Sequence, residues 1–203
     1  MTIIATPLDL PIIEPDNWDV FWAIWHNNKK PLEKTLSNGA HSESPIGRTD
    51  AWQGIDIFTA TDVSTVWQAP FVDIKNSLPK LYNTCATLPF KNLYRVRLIE
   101  SQVPIVAHTD DNIDKWSVRA YFHYTDPDPQ WYFSKPVRPL GEKHYFNLPK
   151  ETNWFAYNDK HCYHGTDYNP LHPKILLQVY MVDSPRLLVY NSMAKYKENT
   201  LSL

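Results

Sequence analysis

Two spacing patterns of hydrophobic residues divide the chain, one typical of helices and one typical of strands. Near the N-terminus four aromatic residues recur at intervals of three and four, and they are Trp18, Phe21, Trp22 and Trp25. This spacing predicts a short helix with one aromatic face, whose start Asp16 is positioned to cap. A second helix is predicted over residues 71–84, where Pro79 must begin, bend or divide it.

Short runs rich in aromatic and β-branched residues follow from about residue 93, separated by Pro, Asp and Asn turns. They predict strands at Leu93–Ile99, Val103–Asp110, Ser117–Tyr124, His144–Leu148, Trp154–Asn158 and Lys174–Val182. Residues 31–55 carry turn residues and are predicted to form a loop, a candidate lid. Strands in the second half, with helices confined to the first, favour a mainly β fold, either a helix-flanked β-sandwich or a jelly roll.

Composition and charge narrow the class of protein. The 203 residues show no composition break and fit one domain, and 43% hydrophobic residues can build a substantial core. A net charge of −2 without blocks of like charge argues against a nucleic-acid-binding surface. A cytoplasmic protein is predicted, because the chain has only two cysteines, no signal-peptide pattern at its N-terminus and no apolar run long enough to span a membrane.

A His-x-Asp pair, His108 and Asp110, is the first feature that indicates chemistry. Residues i and i+2 of a strand lie on the same face, so one strand would present both side chains together. A third ligand would come from a neighbouring strand, where His164 is favoured over His161 because Gly165 follows it and a cation, Lys174, comes ten residues later. Two imidazoles and one carboxylate are the ligand set that suits non-haem Fe(II) and leaves positions open on the metal.

A lysine ten residues after His164 extends this pattern, because Lys174 opens a strand that otherwise has the composition of a core strand. A lysine is costly to bury without an anion, and the distal carboxylate of 2-oxoglutarate would be a suitable partner. In the other interpretation Lys174 extends to solvent at the barrel rim. In the rest of this strand, the odd-numbered positions of 175–181 are apolar and are assigned to the outer core. The mixed even-numbered positions are assigned to the cavity.

Arg119 lies in a predicted strand with two unlike faces. Ser117, Tyr121 and His123 share its face and are polar, while the alternate positions are apolar. The polar face is expected to line the cavity or to meet solvent. An arginine in the cavity could bind a carboxylate of the substrate or of the co-substrate through two parallel hydrogen bonds. In the alternative, Arg119 is a solvated strand residue.

From about Phe71 to Asp183 the sequence resembles the Fe(II)/2-oxoglutarate-dependent dioxygenases, and within them the aspartyl/asparaginyl β-hydroxylase-like branch. The similar segments are Leu78–Leu81, Leu88–Phe90, Tyr94–Leu98, Ile105–Asp110 and Trp154–Asp159, with Arg119, His164 and Lys174 and, more weakly, Asp50–Ile55. The resemblance implies a double-stranded β-helix, or cupin-like jelly roll, with flanking N-terminal helices. We expect its core at 71–183, an N-terminal helical and loop elaboration at 1–70 and a C-terminal extension at 184–203.

The same resemblance assigns a role to each candidate residue. It implies that His108, Asp110 and His164 are the iron ligands. It implies that Lys174, which stands where the family usually has an arginine, binds the distal carboxylate of 2-oxoglutarate. Arg119 would bind the substrate or the co-substrate.

The sequence therefore predicts an Fe(II)- and 2-oxoglutarate-dependent dioxygenase that uses O₂ to hydroxylate an amino acid, a peptide side chain or a small metabolite. Two other functions would use the same ligands. A non-catalytic cupin-like protein would bind a metal or ligand but no 2-oxo acid, and would give Lys174 no task. A metal-dependent hydrolase would activate water on Zn²⁺, although the chain has no H-E-x-x-H helix.

Overall fold

A computed structural model describes residues 2–31, 33–34, 52–60, 67–101, 105–110, 114–123, 131–137, 140–167 and 175–203. The helices are α1 (Trp18–Asn28), α2 (Pro79–Ala86) and α3 (Arg186–Lys195), and a 3₁₀ turn follows at Lys197–Asn199. The strands are β1 (Ile3–Pro7), β2 (Lys30–Pro31), β3 (Glu33–Lys34), β4 (Trp52–Thr59), β5 (Trp67–Gln68), β6 (Leu93–Ser101), β7 (Ile105–His108), β8 (Trp116–His123), β9 (Trp131–Ser134), β10 (His144–Tyr145), β11 (Trp154–Asn158), β12 (Tyr163–Thr166), β13 (Ile175–Met181) and β14 (Leu201–Ser202).

The strands form two antiparallel sheets that face each other, plus a small β3–β5 pair. The large sheet has the order β14-β1-β11-β8-β13-β6-β4-β2, and the small sheet has the order β10-β9-β12-β7. From β6 to β13 the chain passes repeatedly from one sheet to the other: β6, β8, β11 and β13 belong to the large sheet, and the strands between them belong to the small one. This alternation is the double-stranded β-helix, or jelly roll, so the predicted fold class is confirmed.

Two hydrophobic clusters lie on opposite faces of the large sheet. One joins its outer face to the helices and contains Phe21 and Trp25 of α1 and Leu177 of β13. The other lies between the sheets and contains Phe133 of β9 and Leu176 of β13. The predicted division of the last strand is therefore confirmed: the apolar odd-numbered residues face the helices, and Leu176 faces the barrel interior.

The assignment of Asp16 as the cap of α1 is wrong. Asn17 caps α1, because its side-chain oxygen accepts hydrogen bonds from the backbone N–H groups of Asp19 and Val20. The Asp16 carboxylate instead accepts from the N–H groups of Lys80 and Leu81 in the first turn of α2, at 2.8 and 3.0 Å. Asp16 thus caps α2 from outside the helix. Leu78, the residue at the N-cap position of α2, makes no capping hydrogen bond with its side chain.

The second predicted helix is shorter than expected, because it begins at Pro79 rather than at residue 71. Proline fits the first turn of a helix, where its missing N–H group would have no partner inside the helix. Residues 75–77 form a turn instead, in which the Asp73 side chain accepts from the backbone N–H of Lys75. Of the three outcomes that the sequence allowed at Pro79, the structure therefore shows a helix start.

Several predicted boundaries are wrong at the periphery of the fold. Residues 52–55, assigned to a loop, belong to β4, which pairs with β6 in the large sheet. The strand predicted at 144–148 ends at Tyr145. Helices are not confined to the first half, because α3 follows the last barrel strand. In the described part of the chain, every helix falls short of the length and apolar character that a membrane span requires.

Candidate metal centre

His108, Asp110 and His164 come together at one end of the small sheet. His108 is the last residue of β7 and stands directly opposite His164 of the neighbouring strand β12. Asp110 follows His108 by two residues, just beyond the end of the strand. One ligand atom from each of the three side chains lies within 4.8 Å of the others, and the two imidazole centroids are 4.4 Å apart. The sequence-predicted set is therefore a spatial cluster.

The donor atoms of this cluster converge. Oδ1 of Asp110 lies 3.4 Å from Nε2 of His108 and 3.7 Å from Nε2 of His164. One carboxylate oxygen and two imidazole nitrogens therefore face one small space, and this donor set fits a divalent metal of the iron or zinc type. His161, the competing candidate, lies in the turn before β12 and is not a member of the cluster.

Electrostatics favour the protonation states that bind a metal. Burial lowers the pKa of His164 to about 3, although the neighbouring Asp110 carboxylate opposes the shift. Burial pushes the pKa of the Asp110 carboxyl upward, but three effects together lower it below its usual range: the charge that His164 carries when protonated, a hydrogen bond with His108 and the guanidinium of Arg119. A neutral imidazole and an ionised carboxylate are the forms that coordinate metals.

Arg119 is buried at the back of the cluster and is not a solvated strand residue. Its side chain is 8% exposed, and Nη2 donates to Oδ2 of Asp110 at 3.2 Å while Nη1 donates to the Val118 carbonyl at 3.0 Å. Its Nε has no hydrogen-bond partner among the residues that the structure describes. The interpretation of Arg119 as a solvent-facing residue is thus wrong, and its predicted place inside the barrel is correct.

Two neighbours of the cluster, Tyr157 and Asp159, were not identified from the sequence. The Tyr157 hydroxyl donates to Oδ2 of Asp110 at 3.1 Å and lies 3.4 Å from Nε2 of His164. Oδ1 of Asp159 accepts from the backbone N–H of Asp110 at 2.8 Å and lies 3.8 Å from Nδ1 of His164. The sequence offers one signal that could have identified Tyr157: strand alternation places its side chain on the same face as that of Phe155.

Aromatic rings enclose His164 on the inner side of the barrel. The Trp131 ring stacks on the His164 imidazole with centroids 5.3 Å apart, and the Tyr157 ring lies 4.5 Å away. Nearby Cys162 is also buried, and burial raises the pKa of its thiol well above the usual value. A thiol held protonated is a poor nucleophile, so the site offers metal-ligand chemistry rather than cysteine catalysis.

Lys174, the predicted partner of the 2-oxoglutarate carboxylate, lies outside the described residues. The strand that follows it, β13, begins at Ile175 opposite His123 of β8, and Leu176 stands opposite Tyr121. The assignment of Lys174 therefore stays a prediction.

Comparison with known proteins gives weak similarities. No family model and no curated protein matches the chain. Among solved structures, an oxidoreductase of the 2OG-Fe(II) oxygenase family from Burkholderia pseudomallei is similar at a TM-score of 0.41 and 10% identity, over 81% of this chain and 78% of that one. A bsmA homolog from Methylobium petroleophilum is similar at a TM-score of 0.39 and 11% identity, over 80% and 82% of the two chains. The fold assignment and the site geometry do not depend on these similarities.

Proposed function

We propose that this protein is an Fe(II)- and 2-oxoglutarate-dependent oxygenase, with His108, Asp110 and His164 as the iron ligands. The observation that carries the proposal is the convergence of Asp110 Oδ1 with the Nε2 atoms of both histidines. Two imidazoles and one carboxylate hold Fe(II) on one side and leave its other positions for exogenous ligands. The jelly-roll barrel supplies a rigid support, since two of the ligands belong to neighbouring strands.

When bound, Fe(II) and 2-oxoglutarate would supply the oxidation: O₂ is consumed, a C–H bond of the substrate becomes C–OH, and 2-oxoglutarate becomes succinate and CO₂. The chain would supply binding, orientation and the exclusion of water. Trp131 and Tyr157 would exclude water, because their rings pack against the His164 imidazole.

Binding of the co-substrate is assigned to two cationic residues. Lys174 is the proposed partner of the distal carboxylate of 2-oxoglutarate, on the spacing from His164 and on the family resemblance. Arg119 is the proposed second carboxylate-binding residue, toward either the co-substrate or the substrate. Its support is a buried guanidinium whose Nε is still available for a hydrogen bond, as far as the described residues show.

The substrate class follows from the resemblance to the aspartyl/asparaginyl β-hydroxylase-like branch. We propose a hydroxylase acting on an amino acid, a peptide side chain or a small metabolite. A cytoplasmic location is proposed with it, because Cys85 and Cys162 are both free thiols and fit a reducing compartment.

The experiment that tests the function is anaerobic loading followed by aeration. Purified protein is titrated with Fe(II), then with 2-oxoglutarate, and succinate is measured after O₂ is admitted, with and without a panel of amino acids and Asp- or Asn-containing peptides. Succinate release that needs both Fe(II) and 2-oxoglutarate, and that a panel member accelerates, is the expected result. Metal binding without any binding of 2-oxoglutarate would favour the non-catalytic cupin-like protein. Hydrolysis of a substrate with Zn²⁺ in place of Fe(II) would favour the hydrolase.

A further inference from the structure

The two oxygens of the Asp110 carboxylate have different surroundings. Oδ1 faces the Nε2 atoms of His108 and His164, at 3.4 and 3.7 Å. Oδ2 accepts hydrogen bonds from the Tyr157 hydroxyl at 3.1 Å and from Nη2 of Arg119 at 3.2 Å. The two donors therefore fix the rotation of the carboxylate and hold one of its oxygens away from the imidazoles.

We propose that Tyr157 is a positioning residue which, together with Arg119, restricts Asp110 to binding the metal through Oδ1 alone. This inference rests on the proposed function, because it takes Asp110 as a metal ligand. A carboxylate that is free to rotate can bind a metal through both oxygens. Here a second bound oxygen would occupy a position that 2-oxoglutarate or O₂ requires.

Tyr157 and Arg119 are suited to this role because adjacent strands of the large sheet hold them. Tyr157 is in β11 and Arg119 is in β8, and the whole of β11 pairs with Trp116–Ala120 of β8, with Phe155 opposite Arg119. The Arg119 guanidinium lies 5.5 Å from the centroid of the Tyr157 ring, and its Nη1 is anchored on the Val118 carbonyl. Both donors thus come from the sheet that faces the ligand-bearing strands β7 and β12.

The hydroxyl of Tyr157 donates to Oδ2 of Asp110 in this arrangement. The side chain is fully buried. A hydroxyl that keeps its proton can donate to a carboxylate oxygen, which itself carries no proton when ionised.

The test is a Co(II) titration of the full-length protein, because the visible absorption of Co(II) reports the number and geometry of its ligands. Three proteins are compared: the wild type, Tyr157→Phe and the matched control Tyr180→Phe. Tyr180 also has a hydroxyl in a hydrogen bond, but it donates to Gln178 and not to Asp110. Loss of a group that orients a metal ligand typically weakens metal affinity by roughly 10- to 100-fold.

We expect Tyr157→Phe to bind Co(II) at least about 10-fold more weakly than the wild type and with a changed visible spectrum. Tyr180→Phe should match the wild type in both. If Tyr157→Phe does not fold, Arg119→Lys takes its place, since lysine keeps the charge but lacks the planar pair of donors. The inference is overturned if the wild type binds Co(II) and the folded variant shows the same affinity and spectrum. Failure of the wild type to bind either Co(II) or Fe(II) would instead overturn the proposed function.

Discussion

Asp159 accepts a hydrogen bond from the backbone N–H of Asp110 at 2.8 Å, which joins two segments that are 49 positions apart in the sequence. Asp110 follows the small-sheet strand β7, whereas Asp159 follows the large-sheet strand β11. The Asp159 residue is 2% exposed, so the bond is shielded from water. It fixes the backbone that carries the candidate ligand Asp110 to the turn that leads toward His164.

Replacement of this carboxylate should lower the free energy of unfolding. Asp159→Ala removes the buried carboxylate and leaves the N–H of Asp110 without its acceptor, which typically costs about 1–3 kcal/mol. Asp159→Asn should cost less, since its amide oxygen can still accept. Urea unfolding of the metal-free protein measures both variants. Asp183→Ala is the control, because that carboxylate is 45% exposed, and both its hydrogen bond from Asn92 at 3.0 Å and its pairing with Lys91 at 3.8 Å are exposed to solvent. Equal stability of Asp159→Ala and the control would contradict the prediction.

Removal of any of the three candidate ligands should abolish tight metal binding. His108→Ala, Asp110→Ala and His164→Ala each delete one of the converging donor atoms and should eliminate both Fe(II) binding and turnover. His161→Ala is the matched control, since it removes a nearby histidine that lies outside the cluster, and it should keep substantial activity. Anaerobic titration with Fe(II), read out by competition with a chelator, measures the affinities. Full activity of any ligand variant would refute its assignment.

Lys174 should control the affinity for the co-substrate and not for the metal. Loss of a desolvated ion pair typically costs about 2–5 kcal/mol, so Lys174→Ala should raise the KM for 2-oxoglutarate strongly while Fe(II) affinity stays unchanged. Lys174→Arg should keep part of the function because the charge remains. The exposed Lys160→Ala variant serves as the control for loss of a positive charge. An unchanged KM in Lys174→Ala would favour the non-catalytic alternative.

The central barrel strands could be predicted because each has a local signature. In β8 and β13, apolar residues at alternate positions face the helices, and the remaining residues face the interior. The peripheral strand β1 has no such signature. Its partners β11 and β14 lie far along the chain, so its place in the sheet depends on pairing over about 150 residues or more.

The candidate ligands were predictable for a related reason, and their supporting residues were not. The His-x-Asp spacing brings His108 and Asp110 together within one short segment, whatever the rest of the fold. Tyr157 and Asp159 reach Asp110 only because β11 and β7 are arranged in opposite sheets. Similarly, Asp16 precedes one helix in sequence but caps another in space, which local capping preferences cannot indicate.

Asp56 should be essential for stability, because it carries the negative charge between two buried arginines. It accepts from Nε of Arg97 at 2.7 Å and lies 3.5 Å from Nε of Arg95. Removal of one partner from a buried ion pair typically costs about 3–5 kcal/mol, so Asp56→Asn should lower the free energy of unfolding by that order. The exposed pair of Glu14 and Lys80 provides the control: Glu14→Gln should change stability by less than about 1 kcal/mol. Chemical denaturation of both variants compares the two losses.

His164 should make the stability of the metal-free protein depend on pH. Its pKa is about 3 in the folded protein, and an unfolded histidine has a pKa of about 6.5. Between these values the unfolded chain binds a proton that the folded protein does not bind. The free energy of unfolding should therefore fall as the pH is lowered from about 6.5 toward 3, by about 1.4 kcal/mol per pH unit from this residue.

The variant His164→Gln isolates this contribution, because glutamine does not titrate and the other histidines are unchanged. Asp110 does not interfere, since the pKa of its carboxyl is lowered and its contribution is lost only at more acidic pH, below an unfolded value of about 3.9. Urea unfolding with a chelator present, at several pH values between about 6.5 and 4.5, should give a steeper loss of stability for the wild type than for the variant. Parallel curves would show that the His164 imidazole is protonated in the folded protein. That result would contradict the burial of a neutral His164 imidazole in the candidate metal centre.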